Sequence, residues 1–321
     1  MVIIIGSGPI GLATGIALQR RNIPFRIIER GCIVNSIFHY PTNMTFFSSS
    51  DKLEIGNVPF ISHSNKPTRS EALEYYRRVA VHYELPLNLY EEVQKVEGQD
   101  GNFTVVTDKD RYKAEKIVLA TGFYGQANRM GIQGEELPKV RHYYHEPHAY
   151  ALQNLLIIGA GNSAVDAALE SWRCDANVTM AIREDGIKET VKYWVKPDIE
   201  NRIKEGSIQA YFNTGVKEIR EKEVVLETPE GEKVIPNDFV LAMTGYHPNF
   251  ELMDRVGIEL SEDENRMPVH DDKSLETRRK GVYVAGVVCG GMDTSSLFIE
   301  NSRIHAAQIA DDIEKKLQQP A

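Results

Sequence analysis

Two glycine-rich segments of this 321-residue chain have the residue types and the spacing that bind phosphate groups. The first is VIIIGSGPIGLATG at residues 2–15, and the second is LLIIGAGNSAVDAA at residues 155–168. In each, an apolar run typical of a buried parallel strand precedes a glycine turn and a helix. The backbone N–H groups at the start of such a helix are free to bind a pyrophosphate. The sequence therefore predicts two dinucleotide sites on one chain.

The glycines of the first fingerprint are expected to have separate tasks. Gly6 permits a sharp turn, Gly8 lets the backbone approach a pyrophosphate, and Gly11 lets the helix pack closely on the strand. The corresponding residues of the second fingerprint are Gly159, Gly161 and Ala164.

The residues after the next strand distinguish the two nucleotides. Glu29 is the last residue but one of PFRIIER, about 20 residues after the first fingerprint, where a carboxylate can accept a hydrogen bond from a ribose hydroxyl. In VTMAIRED the same region holds Arg183, whose planar cation suits a 2′-phosphate. Glu184 and Asp185 follow directly, and either side chain could reach back to a ribose. We expect FAD at the first fingerprint and NADPH at the second.

An internal duplication sets the domain organisation. KIVLATG follows the first fingerprint and FVLAMTG follows the second, and each ends a predicted strand in a Thr-Gly turn. A last strand, glycine loop and amphipathic helix would return the chain to the first domain. We predict an α/β fold with two Rossmann-like dinucleotide-binding domains: a discontinuous FAD domain of residues 1–122 and 246–321, and an inserted NADPH domain of residues 123–245. Short crossings between them would permit hinge rotation.

Charge and cysteine content exclude several classes of partner. The net charge of −9 at pH 7 argues against nucleic acid or an anionic membrane, because either requires a basic face. No apolar run is long enough to span a membrane. The three cysteines stand far apart without a CxxC pair, which excludes a zinc ribbon and a vicinal dithiol and favours a reducing cytoplasm.

The segment RHYYHEPH has histidines spaced like metal ligands. Pro147 interrupts any helix that could bring them together, and no carboxylate cluster accompanies them. We expect no metal site.

Motif order and two long segments resemble a known family. GSGPIGLA, IVLATG, GAGNSAVDAA, AMTGYHPN and GVYVAG resemble the low-molecular-weight thioredoxin reductase group of two-dinucleotide flavoproteins across essentially the whole chain. Within that group, ERGCIVNSIFHYPTNMTFFSSSDKLEIGNVPF and LFIENSRIHA are similar to the bacillithiol-disulfide reductase (YpdA-type) family. The resemblance implies a cytoplasmic, usually homo-oligomeric, NADPH-dependent FAD enzyme that passes electrons to a small-molecule thiol disulfide.

Two departures concern the thiol chemistry. Thioredoxin reductases have a CxxC in the NADPH domain, and this chain has none. The bacillithiol family typically has a cysteine in the first fingerprint, at the first turn of a helix where the dipole lowers a thiol pKa, but this chain has Ile10. The remaining candidate is Cys289, which we expect near the flavin ribityl chain, before a helix that favours its thiolate. Direct reduction of the disulfide by the flavin is the alternative.

The flavin end of the site is predicted from the residues around it. Asn35 and Ser36 are expected to pass under the flavin ring. Related enzymes usually have an aspartate for the ribityl chain where this chain has Val287, so backbone amides must bind it. A helix beginning near Ser295 would direct its N-terminus at the pyrimidine ring, and Glu300 within it is expected to be solvated or salt-bridged. The residues that we expect at the cofactors are Gly6, Gly8, Pro9, Gly11, Glu29, Arg30, Asn35, Ser36, Thr121, Gly122, Gly159, Gly161, Asn162, Ser163, Arg183, Gly286, Val287 and Ser295.

Three other functions remain open from the sequence. HYPTNMTFF and LATGFY also resemble flavin-containing monooxygenases. A ferredoxin or flavodoxin reductase would need no CxxC, and a non-catalytic FAD-binding regulator would not turn over NADPH. The sequence does not choose the electron acceptor.

Overall fold

The computed structural model describes residues 1–318, which divide into two compact units. The first unit contains Met1–His39, Met44–Gln126 and the described residues from Tyr246 onward, and the second contains Tyr40–Asn43 and Ala127–Gly245. The chain therefore passes from the first unit to the second after Gln126, four residues beyond the predicted boundary at residue 122. The segment Tyr40–Asn43 was assigned to the first domain but belongs to the second unit, because the backbone N–H of Thr42 donates to the carbonyl of His145 at 2.8 Å.

The strands follow the apolar runs of the sequence. In chain order they are β1 Val2–Ile5, β2 Phe25–Ile28, β3 Leu87–Asn88, β4 Val93–Gln99, β5 Asn102–Thr107, β6 Arg111–Ala114, β7 Lys116–Leu119, β8 Gln126–Ala127, β9 Val140–Arg141, β10 Asn154–Ile158, β11 Asn177–Ala181, β12 Gln209–Tyr211, β13 Gly215–Ile219, β14 Glu223–Thr228, β15 Gly231–Pro236, β16 Phe239–Ala242, β17 Tyr246–His247 and β18 Val282–Val284.

The helices begin and end as follows: α1 Pro9–Gln19, α2 Asn35–Phe38, α3 Arg69–His82, α4 Asn162–Arg173, α5 Lys196–Lys204, α6 Phe250–Val256, α7 Ile299–Ser302 and α8 Ile304–Gln318. Short 3₁₀ helices lie at Ser50–Leu53, His148–Tyr150 and Gly286–Gly290. Among residues 1–318, no helix combines the length and the apolar content that crossing a bilayer requires.

Each unit is built on a parallel sheet whose central strand carries a fingerprint. The first sheet has the order β18-β7-β1-β2-β3, and the second has the order β12-β11-β10-β16-β9. The strands VIII and KIVL are buried along their whole length, as expected for a parallel sheet covered on both faces. The antiparallel sheets β4-β5-β6 and β13-β14-β15 belong to the first and second units, respectively, and β8 pairs with β17.

The two sheets repeat one register. Ile5 at the end of β1 pairs with Ile28 of β2, and Ile158 at the end of β10 pairs with Ala181 of β11. The next residue of each fingerprint, Gly6 or Gly159, donates its N–H to the carbonyl of that partner. Equivalent positions of the two nucleotide sites can therefore be compared directly.

The C-terminal helix starts later than predicted. We expected it near Ser295, but the structure has the four-residue α7 from Ile299 and then α8 from Ile304. The reason is Asp293, whose carboxylate accepts from the backbone N–H of Ser295 at 3.0 Å and from the hydroxyl groups of Ser295 and Ser296. These local bonds hold the segment in a turn and compete with helix formation.

Candidate functional site

The first glycine turn has the shape that a bound pyrophosphate requires. A Cβ on Gly6, which has φ +108°, would lie 2.6 Å from the carbonyl oxygen of Ala120, and one on Gly11 would meet the carbonyl of Gly6. At Gly8 the same test meets no atom within 4 Å. Gly6 and Gly11 are thus required for packing, whereas Gly8 borders open space before the first turn of α1. Pro9 is the first residue of that helix, where its fixed φ is favourable.

The second turn repeats this arrangement. A Cβ on Gly159 would lie 2.5 Å from the carbonyl oxygen of Met243, while one on Gly161 would again meet no atom within 4 Å. Ser163 is exposed in the first turn of α4. Asn162 is engaged elsewhere, because its Nδ2 donates to the carbonyl of Thr190 at 3.1 Å and its Oδ1 accepts from the following loop. The open space that suits a second pyrophosphate lies beside Gly161.

Glu29 is held in place for ribose recognition. Its carboxylate is 8% exposed and accepts from the backbone N–H of Ser7 at 2.9 Å and of Gly31 at 3.0 Å. The hydroxyl of Ser7 also donates to Oε2, at 3.2 Å. These bonds fix the side chain beside the glycine turn, and Oε1, which accepts one bond, retains a lone pair for a ribose hydroxyl. Ribose binding by Glu29 stays a prediction, and the carboxylate lies beside the glycine turn, as that prediction requires.

At the equivalent position of the second unit the carboxylate is missing. The shared register aligns Glu29 with Ile182, which is fully buried. The next residue, Arg183, is exposed, and its guanidinium has no hydrogen bond or ion pair among residues 1–318. Its charge helps to lower the pKa of the neighbouring Glu184 carboxyl. Glu184 pairs with Lys188, with 3.0 Å between Oε1 and Nζ. One of the two acids that could have accepted from a ribose is thus engaged, and the free cation is suited to a phosphate.

The carboxyl ends of β7 and β18 form the other side of the first site. Gly122 has φ +68°, and a Cβ there would be 3.7 Å from Cγ2 of Val287. A Cβ on Gly286 would be 3.1 Å from Cγ1 of Ile10. Thr121 is half-buried in the same turn as Gly122. The structure thus brings these predicted residues to the edge of the sheet where ligands of open α/β folds bind.

The segment after Glu29 contains the remaining predicted residues of the first site. The Asn35 side chain lies against Gly31, and its Oδ1 is 3.6 Å from the thiol of Cys32. Ser36 follows in α2 and is half-buried. The guanidinium of Arg30 lies against the backbone of Gly125.

The surroundings of Cys289 do not favour the thiolate that the sequence predicts. This residue lies in the 3₁₀ helix Gly286–Gly290 and is only 3% exposed, and burial raises the pKa of its thiol to about 12. The expected helix does not follow it, because α7 begins at Ile299. A protonated, buried thiol is a poor nucleophile. Cys32 and Cys174 are free and half-buried.

Glu300 and the histidines of RHYYHEPH are the remaining side chains that the sequence singled out. Glu300 is salt-bridged as predicted, with its Oε1 2.8 Å from Lys52 Nζ, and its Oε2 accepts from Ser48 at 2.8 Å. No group of three or more His, Cys, Asp or Glu residues within the described part of the chain has the geometry to hold a metal ion.

Sequence reasoning missed Lys188 and His305. Lys188 is four residues after Glu184, a spacing that is known to pair charges on a helix and here pairs them in a loop. His305 accepts a hydrogen bond on Nδ1 from the backbone N–H of Gly286 at 3.0 Å. No local pattern indicates this contact, since 19 residues separate the two groups.

Two parallel sheets, each with a glycine turn, define a two-dinucleotide oxidoreductase, and comparison with known proteins agrees. A family model described as pyridine nucleotide-disulphide oxidoreductase matches residues 3–286. Bacilliredoxin reductase Bdr of Bacillus subtilis (strain 168) is 43% identical over 316 residues, which cover 98% of this chain and 97% of that protein. The solved bacillithiol disulfide reductase Bdr (YpdA) of Staphylococcus aureus is 43% identical with a TM-score of 0.96, covering 99% of this chain and 98% of that one.

A second structure, bacillithiol disulfide reductase Bdr (YpdA) of Bacillus cereus, is 42% identical with a TM-score of 0.96, and covers 98% of this chain and 99% of its own. The chain therefore belongs to the pyridine nucleotide-disulphide oxidoreductase family and, within it, to the group of bacillithiol disulfide reductases. The predicted fold class, family, oxidoreductase activity and cofactors, FAD and NADPH, are confirmed.

Proposed function

We propose that this chain reduces a low-molecular-weight disulfide of the bacillithiol type at the expense of NADPH. The observation that carries the proposal is the similarity over almost the full length to proteins named bacillithiol disulfide reductases. The reaction balances as NADPH, a proton and one disulfide giving NADP⁺ and two thiols. We further propose that the enzyme works in the cytoplasm as a homo-oligomer.

The residues of the first unit would hold FAD. The open space at Gly8 receives the pyrophosphate at the N-terminus of α1, and the fixed carboxylate of Glu29 accepts from the adenosine ribose. The next part of the FAD site would be lined by the residues that follow Glu29, namely Arg30, Asn35 and Ser36. When bound, FAD and NADPH supply the hydride chemistry, and the protein supplies orientation and electrostatics.

The residues of the second unit favour NADPH over NADH. Arg183 offers an unpaired guanidinium to the 2′-phosphate, and Ile182 replaces the carboxylate that would accept from a 2′-hydroxyl. The pairing of Glu184 with Lys188 neutralises an acid that would repel the phosphate. The open space beside Gly161 takes the pyrophosphate.

We propose that the electrons do not pass through a thiol of this chain. The chain contains no CxxC, Ile10 stands where the family typically has a cysteine, and burial raises the pKa of the Cys289 thiol. The disulfide would therefore receive its electrons at the flavin without a protein mixed disulfide. The chain's own contribution is to position both nucleotides and the disulfide.

Other electron acceptors can be distinguished from a small-molecule disulfide by experiment. The Bacillus subtilis relative is named a bacilliredoxin reductase, so a protein disulfide is one alternative. A ferredoxin–NADP reductase of Ignicoccus hospitalis is 25% identical over 88% of this chain, so an iron–sulfur carrier is another.

The test is an anaerobic titration of the purified protein with NADPH, followed by reoxidation with one acceptor at a time. The acceptors are bacillithiol disulfide, glutathione disulfide, oxidised bacilliredoxin, ferredoxin and oxygen. We expect bacillithiol disulfide to reoxidise the protein fastest and to give two thiols per NADPH. Faster reoxidation by ferredoxin or oxygen, with no thiol released from the disulfide, would overturn the proposed substrate.

A further inference from the structure

The turn after β18 has a conformation that only glycine tolerates. Gly286 has φ +84°, and a Cβ there would lie 3.1 Å from Cγ1 and 3.2 Å from Cβ of Ile10. Ile10 is in the first turn of α1 and is 6% exposed, so it has little room to move away. The conformation of Gly286 therefore sets how closely β18 approaches the glycine turn of the first site.

A histidine from α8 holds this turn. The backbone N–H of Gly286 donates to Nδ1 of His305 at 3.0 Å. Nδ1 can accept only if it carries no proton, so the imidazole is neutral and its proton is on Nε2. Partial burial, with a smaller contribution from His270, lowers the pKa of His305 to about 4, which keeps it neutral at ordinary pH.

The position of His305 is itself fixed by packing. The next residue, Ala306, is 5% exposed, and Ile309 and Ala310 on the following turn of α8 are fully buried. The backbone at His305 therefore cannot shift to follow a displaced Gly286. This anchoring makes the imidazole a fixed acceptor for the turn.

The turn lies where FAD is expected. Val287 follows Gly286, and its Cγ2 would lie 3.7 Å from a Cβ added at Gly122, at the carboxyl end of β7. Sequence reasoning assigned the ribityl chain to backbone amides here, because Val287 has no polar group. The structure shows that one of these amides, that of Gly286, is already occupied by His305. The remaining amides can serve a ligand only while the turn keeps its shape.

We propose that His305 is a positioning residue for FAD, because its neutral imidazole holds the Gly286–Val287 turn in the shape that the ribityl chain requires. The proposal rests on the FAD site described above. A side chain on α8 thereby orders the backbone amides that bind the ribityl chain in place of the usual aspartate.

Three substitutions test the role. His305→Asn keeps an acceptor oxygen close to the position of Nδ1, His305→Leu removes the acceptor but keeps an apolar side chain, and His82→Leu is the matched control on the exposed end of α3. The measurements are the FAD dissociation constant of the deflavinated protein, the flavin absorption spectrum and the urea midpoint of the flavin-free protein. Loss of one buried hydrogen bond corresponds to about a tenfold weaker binding.

We expect His305→Leu to bind FAD about tenfold more weakly with a shifted flavin spectrum, and His305→Asn and His82→Leu to remain within about threefold of wild type. If His305→Leu does not fold, His305→Ala, which cannot overpack the site, takes its place with the same expected loss. Equal FAD affinity in His305→Leu and wild type overturns the proposal, and so does an equal loss in His305→Asn and His305→Leu. Wild type that binds no FAD would instead contradict the cofactor site itself.

Discussion

The Nζ of Lys188 lies 3.0 Å from Oε1 of Glu184. Glu184 directly follows Arg183, the residue that we expect to bind the 2′-phosphate of NADPH. Both side chains are partly exposed, so the pair contributes little to stability. Its consequence is electrostatic, because an unpaired Glu184 would repel a 2′-phosphate and accept from a 2′-hydroxyl.

Removal of Lys188 is therefore expected to shift nucleotide preference. Lys188→Ala should raise KM for NADPH and lower KM for NADH, each by about two- to fivefold, the range of an exposed ion pair. The measurement is steady-state flavin-dependent diaphorase activity with both nucleotides. The double variant Lys188→Ala/Glu184→Gln should restore most of the preference; if it behaves like the single variant, Glu184 is not the group that Lys188 neutralises.

Arg183→Ala is expected to weaken the binding of NADPH by about 1.5–3 kcal/mol, because a charge-assisted hydrogen bond to the 2′-phosphate is lost. The binding of NADH should remain nearly unchanged. Rapid-mixing measurements of flavin reduction give both affinities. Arg141→Ala, at another exposed arginine of the second unit, serves as the control. Equal losses for both nucleotides would show that Arg183 does not contact the phosphate.

The glycines of the first turn should separate folding from flavin binding. Gly8→Val is expected to fold, because a Cβ at this position meets no protein atom within 4 Å. It is expected to retain no FAD, because the valine side chain occupies the space for the pyrophosphate. Gly11→Ala should instead lower the free energy of unfolding, since its Cβ collides with the carbonyl of Gly6. Flavin content and urea unfolding of the apo-proteins distinguish the two. A Gly8→Val protein that copurifies with stoichiometric FAD would disprove the placement of the pyrophosphate.

His305 should also make stability depend on pH. Its pKa falls from 6.5 to about 4 on folding, so the unfolded chain binds the proton first as the pH drops. Stability is complete above pH 6.5 and decreases from there to about pH 4. The loss attributable to this group is about 1–2 kcal/mol, reduced because the imidazole is partly exposed. His305→Asn should show a smaller loss between pH 7 and pH 4.5 in urea unfolding; an identical loss would assign the dependence to other groups.

Local patterns were sufficient to predict the strand, turn and helix of each fingerprint, where we propose that the nucleotides bind. The tasks of Gly6, Gly8 and Gly11 follow from a strand, a turn and a helix that are contiguous in sequence, and the same holds for the second fingerprint. Glu29 could be identified because it directly follows the strand that pairs with β1. Periodicity and glycine spacing carry this information without knowledge of distant contacts.

Contacts between distant residues could not be predicted in this way. The expected helix at Ser295 depended on an amphipathic pattern, but Asp293 binds the local backbone and delays the helix. The reactivity of Cys289 was inferred from its position in a glycine loop, whereas its pKa is set by burial among strands and helices from across the first unit. The bond between Gly286 and His305 likewise depends on tertiary packing.

The most direct test of the account is disulfide reduction by a cysteine-free enzyme, Cys32→Ala/Cys174→Ala/Cys289→Ala. Stopped-flow measurement under anaerobic conditions follows reoxidation of the NADPH-reduced protein by bacillithiol disulfide, with wild type as the control. We predict that the variant is reoxidised within about threefold of the wild-type rate and releases two thiols per NADPH. The reason is that a thiol relay needs an accessible thiolate, whereas Cys289 carries a buried thiol. Reoxidation of wild type but not of the variant would contradict direct reduction, and failure of both would contradict the proposed substrate.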